Sequence, residues 1–107
     1  MNIRHTYDEH RIVINLSGEF GPGDADEFLH RLNSLITTNT SDILIDFSHV
    51  SVFSTLCLAK LSLFYNSTAR EQRQLRFTGL SAQLQQLFYI VDLDFLIVQA
   101  IQSPSQS

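Results

Sequence analysis

Apolar and polar positions change period along the chain, and each change marks an element. Ile3 to Tyr7 and Arg11 to Ser17 are two short segments, the second carrying Ile12-Val13-Ile14-Asn15-Leu16, joined by the polar Asp8-Glu9-His10. They predict a hairpin of two antiparallel strands. Gly18 to Gly23, reading GEFGPG, interrupts the pattern, and Asp24 with Glu27 three residues on forms a capping-box-like start for a helix. That helix would carry Leu29, Leu32, Leu35 and Ile36 on its apolar face. After the polar connector Thr37 to Ser41, the compact run Ile43-Leu44-Ile45 predicts a central strand buried on both sides.

The stretch from Ile45 to Tyr65 organises the chain: a strand ends near Asp46, a loop turns, and a long helix begins at Ser54-Thr55. Hydroxyl residues directly before an apolar helical run supply an acceptor for first-turn amides. A phosphate on a solvent-facing hydroxyl there would meet the positive end of the helix dipole, so the fold tolerates it while the surface changes abruptly. The site is a candidate switch. The helix predicted from there to about Arg73 has more apolar residues than one stripe needs. Leu58, Leu61, Tyr65 and Ala69 are expected to face the sheet, leaving Leu56 and Leu63 turned outward toward a covering element, a partner or a second copy. Leu75 to Thr78 predicts another strand, Gly79-Leu80 its exit turn, and Ser81 the cap of a helix through Leu84, Leu87, Phe88 and Val91. Phe95 to Val98 predicts a last strand or strand-like edge before Ala100 and Ile101. The expected order is ββαβαβαβ, an α/β domain with a mixed, mostly parallel sheet.

A chain of 107 residues, 44% hydrophobic and 17% charged, makes one globular domain, placed at residues 1–101 with a Ser, Gln and Pro tail at 102–107 expected to fray. A net charge of −4 gives nucleic acid or an anionic membrane no electrostatic reason to bind. Cys57 is the single cysteine, which excludes an internal disulfide and a four-cysteine metal site and fits a reducing cytoplasm. No apolar run approaches the roughly 20 residues needed to span a bilayer.

Candidate chemistry is sparse. GEFGPG lacks both Gly-x-Gly-x-x-Gly and Gly-Lys-Ser/Thr, and Glu19, Asp24, Asp26 and Glu27 crowd the place where a phosphate would sit. His5, His10, His30 and His49 are scattered without metal-ligand spacing, and read as surface or turn residues. Ser54, Thr55 and Cys57 have His49 nearby but no nucleophile elbow or oxyanion-hole glycines, which points away from an enzyme. Asp46 reads as a turn acceptor that shapes the following loop, and Arg70 and Arg73 as complements to a helix C-terminus. No cofactor or metal is expected, and a small nucleotide or anion at the helix start is a minor reading.

Taken in order, the residues from about Ile12 to Ile101 resemble the STAS domain of bacterial anti-sigma-factor antagonists and of the cytoplasmic ends of sulfate transporters. The resemblance rests on Leu16-Ser17-Gly18-Glu19, on Ile43-Leu44-Ile45-Asp46-Phe47-Ser48-His49-Val50-Ser51, on Thr78-Gly79-Leu80-Ser81, and on Leu87-Phe88 with Val91-Asp92-Leu93. It implies a sheet of four or five strands with helices mainly on one side. The family's switch site typically reads Asp-Ser-Ser-Gly-Leu or Asp-Thr-Ser-Gly-Leu, and Ser54-Thr55-Leu56-Cys57-Leu58 occupies it here. Thr55 matches the phosphorylated hydroxyl, with Ser54 the lesser candidate. Ser54 replaces the aspartate, Leu56 the second hydroxyl residue and Cys57 the glycine. The resemblance implies a regulatory module that binds a kinase-like anti-sigma factor or related regulator through Ser54, Thr55, Leu56, Cys57, Lys60 and Leu63. The alternative is a scaffold or subunit of a larger sensory or transport assembly that does not switch.

Overall fold

The computed structural model describes residues 1–98. Four strands, β1 (Asn2–Asp8), β2 (Arg11–Phe20), β3 (Asp42–Phe53) and β4 (Gln74–Thr78), form one sheet in the order β1-β2-β3-β4. β1 and β2 are the antiparallel hairpin, while β3 runs parallel to both β2 and β4. Helices α1 (Ala25–Leu35), α2 (Thr55–Arg70) and α3 (Ala82–Ile90) follow β2, β3 and β4 in turn. Alternate strand residues Ile12, Ile14, Leu16, Ile43, Ile45, Phe47, Leu75 and Phe77 are buried in a single core with Phe28, Leu32, Leu61, Phe64 and Phe88 from the helices. Their neighbours Arg11, Val13, Asn15, Leu44 and Arg76 stay exposed or half-buried, as a sheet covered on one face requires. On the open face Asp42 receives Arg76 at 2.9 Å and Arg11 at 3.4 Å.

Four elements differ from the sequence expectation, each for a local reason. β2 does not stop at Gly18: its pairing with β3 shifts register there, with Ser51 the extra residue on β3, and Gly18 at φ 91° lets β2 follow the shift and continue to Phe20. β3 likewise continues past Asp46 for twelve residues in all, because its distal half pairs with that extension of β2. Asp24 stands at the N-cap position of α1 but its side chain makes no capping bond to the helix. It ends a 3-10 turn, Pro22–Asp24, and its carboxylate accepts from the Gly21 amide at 2.9 Å. α2 ends at Arg70 rather than Arg73, closed by Gln72 at φ 61° with the Arg73 amide donating to the Thr68 carbonyl. Arg73 is therefore beyond the helix, and its guanidinium bonds the Thr37 and Thr40 carbonyls and Glu71. At the end of the described chain, Asp94–Leu96 is a 3-10 turn and Ile97 makes a single parallel bridge to Phe77, so of the two forms expected over Phe95 to Val98 it is the strand-like edge that occurs. Ala100, Ile101 and the tail at 102–107 lie outside the described residues.

Candidate functional site

One residue, Ser54, separates β3 from α2. Its extended backbone and hydroxyl make it the N-cap: Oγ accepts from the Cys57 amide at 3.2 Å, and its own amide donates to the Phe20 carbonyl at 2.8 Å. The start of α2 is thereby fastened to the end of β2. Cys57 points inward, is fully buried, and donates its Sγ–H to the Gly21 carbonyl at 3.4 Å. Burial pushes its thiol pKa up, with the Asp24 carboxylate adding to the rise and the Ser54 hydrogen bond opposing it. Cys57 cannot touch a docked protein, which removes it from the six residues expected to form the contact surface. A thiol reagent should accordingly label the native protein at least about a hundredfold more slowly than the unfolded chain. Equal rates in stopped-flow labelling would put the sulfur at the surface.

With Ser54 and Cys57 committed to structure, the outward residues of the first turn are Thr55 and Leu56. Thr55 is exposed, and its hydroxyl has no hydrogen-bond partner among the described residues. Leu56 is 50% exposed and Leu63 53%; seven residues apart, they share one helical stripe with Ala59 between them. Val52, 49% exposed, adds an apolar residue at the end of β3 just before the cap. Lys60 is half-buried at the side of this stripe, its Nζ 2.9 Å from Asp26 of α1. The buried stripe of α2 is Cys57, Leu58, Leu61, Phe64 and Thr68, so the predicted sheet-facing set is rotated: Ala69 is exposed and Tyr65 half-buried against Phe95.

Other candidates are structural. Asp46 Oδ1 accepts from both the amide and the hydroxyl of Ser48, but inside β3, at an irregularity in its pairing with β2, and not in the loop expected to follow it. All four histidines are exposed, and no group of three or more metal-ligating side chains occurs among the described residues. The cleft beside Val52, between the end of β3 and the start of α3, is lined by Val50, Ser51, Ser81, Gln83, Leu84 and Leu87 among others, with no cationic side chain to hold a phosphate. No helix among the described residues is long and apolar enough to cross a membrane.

The family model described as "Mlab, STAS domain" matches residues 3–99. Among solved structures, the anti-sigma factor antagonist SpoIIAA in its unphosphorylated form superposes with a TM-score of 0.80 at 13% identity, over 94% of this chain and 90% of that one. The phosphorylated form of the Bacillus protein gives 0.77 at 13% identity, over 94% and 93%. The STAS domain of a SulP transporter from Vibrio cholerae gives 0.64 at 18% identity, over 86% and 75%. No curated protein sequence matches the chain.

Proposed function

Because the chain belongs to the STAS domain family, we propose that it is a cytoplasmic regulatory module that docks a kinase-like anti-sigma factor or related regulator through the start of α2, with phosphorylation of Thr55 as the control. The observation that carries this reading is the division of labour at the junction: Ser54 caps and Cys57 packs, while Thr55 is left exposed next to Leu56, where the apolar stripe that runs on to Leu63 begins, with Val52 exposed at the end of β3. An apolar stripe next to a modifiable hydroxyl is what a switchable contact needs, since the stripe supplies burial and a phosphate beside it opposes that burial. The module is not a catalyst in this reading; it acts by occupancy.

A second reading is favoured by Leu56 and Cys57, which stand where the family's hydroxyl and glycine are typical. The same face would then hold the chain permanently in a larger sensory or transport assembly, as suits the transporter domain of similar fold.

Both readings need the α2 stripe, so Leu63→Arg should abolish complex formation while changing stability by no more than about 0.5 kcal/mol. Calorimetric titration against kinase-like anti-sigma factors of the same cell, paired with urea denaturation, measures both. A loss of several kcal/mol in stability, or unimpaired binding, would remove Leu63 from the docking face.

A further inference from the structure

Among the described residues, β1 borders the sheet and is paired on one side only. Such a strand turns half of its amides and carbonyls outward, free to pair with another strand. The opposite border is shorter and partly occupied: β4 has five residues, and the Val98 amide lies 2.7 Å from the Phe77 carbonyl.

The chemistry of β1 is symmetric about Thr6. Arg4 and Asp8 lie two residues to either side, on one face and with opposite charge. His5 and Tyr7 lie one residue to either side on the other face, their rings edge to face at 5.1 Å. All five residues from Arg4 to Asp8 are exposed, and neither Arg4 nor Asp8 is in an ion pair among the described residues. The strand is also held in place before any partner arrives, because Arg31 of α1 donates to the Ile3 carbonyl at 3.5 Å and the Tyr7 hydroxyl to the Leu35 carbonyl at 2.7 Å. A preordered edge avoids much of the entropic cost of pairing.

We infer that β1 is a self-recognition edge: two copies pair antiparallel with Thr6 opposite Thr6, joining their sheets into one. In this register Arg4 of each copy faces Asp8 of the other and His5 faces Tyr7, and the two-fold axis makes every such contact occur twice. The neighbouring registers lose this. Pairing about His5 sets Arg4 against Thr6 and Asp8 against Asn2, while pairing about Arg4 sets arginine against arginine. Charges on a border strand ordinarily keep sheets apart, and here their placement admits one partner, a second copy.

Sedimentation equilibrium of the full chain over a concentration series tests the inference. The wild type should show a reversible monomer–dimer equilibrium. Arg4→Asp and Asp8→Arg should each weaken it at least about tenfold by opposing like charges at two places, and the double variant should recover most of the loss. Leu63→Arg should leave it unchanged, and circular dichroism confirms that each variant is folded. A monomer at every concentration up to ~1 mM, a dimer indifferent to Arg4→Asp, a double variant no better than the single ones, or a dimer lost in Leu63→Arg would each overturn it.

Discussion

Phe47→Ala lowers the unfolding free energy by about 4 kcal/mol. Phe47 is the point where three other rings meet: Phe53 and Phe88 lie at 5.4 Å and Phe77 at 5.8 Å, all edge to face and all buried. Truncation removes the transfer free energy of a fully buried ring, leaves a cavity that rigid strands on both sides cannot close, and forfeits the aromatic pair geometry. For a domain of this size the loss corresponds to a fall in Tm of about 20 °C. Thermal and urea unfolding measure it, and a change below about 1 kcal/mol would mean that the core repacks around the site.

Gly79→Ala is expected to cost about 3 kcal/mol although it adds only a methyl group. Gly79 leaves β4 at φ 74°, where a side chain is strained by about 1–3 kcal/mol. A Cβ there would also lie 2.8 Å from the Ser48 amide nitrogen and press on the Asp46 carboxylate that the same amide donates to. That bond and the path of β3 around it cannot both be kept, so overlap adds to the backbone strain. The shift appears as a lower urea midpoint with an unchanged m value. Gly23, which has open space where a Cβ would sit, is the control, and Gly23→Ala should be near neutral. Equal stability of the two variants would contradict this account of the β4 exit.

These two sites also show what could be read from the residues. Ile43 and Ile45 declared β3 through their apolar run, and Ser81 declared the start of α3; in both, one local signal decides the conformation. The distal half of β3 was hidden because Ser48-His49 breaks the alternation, and it is held as strand by pairing with Ser17 to Phe20 of β2. The end of α2 was hidden because Gln72 takes the left-handed position that glycine usually marks. At the candidate site, the cap at Ser54 and the outward Leu56 and Leu63 followed from helical spacing, but the inward direction of Cys57 did not. Its burial depends on the Gly21 carbonyl, 36 residues away in sequence, and on Phe64 rather than Tyr65 filling the core. Arg73 was misplaced because its carbonyl partner Thr37 lies 36 residues back, across a connector whose path no periodicity encodes, whereas the Asp24 carboxylate was misread locally, turning back to the Gly21 amide three residues before it.

The central claim, that Thr55 controls a docking face, is tested most directly by calorimetry of the unmodified and Thr55-phosphorylated protein against the kinase-like anti-sigma factor of the same cell. Phosphorylation adds about −1.5 to −2 charges beside Leu56, and the helix dipole lets the fold absorb them, so the effect falls on the contact. The account predicts that the phosphorylated form and Thr55→Glu bind at least about tenfold more weakly than the unmodified protein, and that Thr55→Ala binds as the unmodified protein does. Equal affinity of all four forms would contradict it and leave the permanent scaffold.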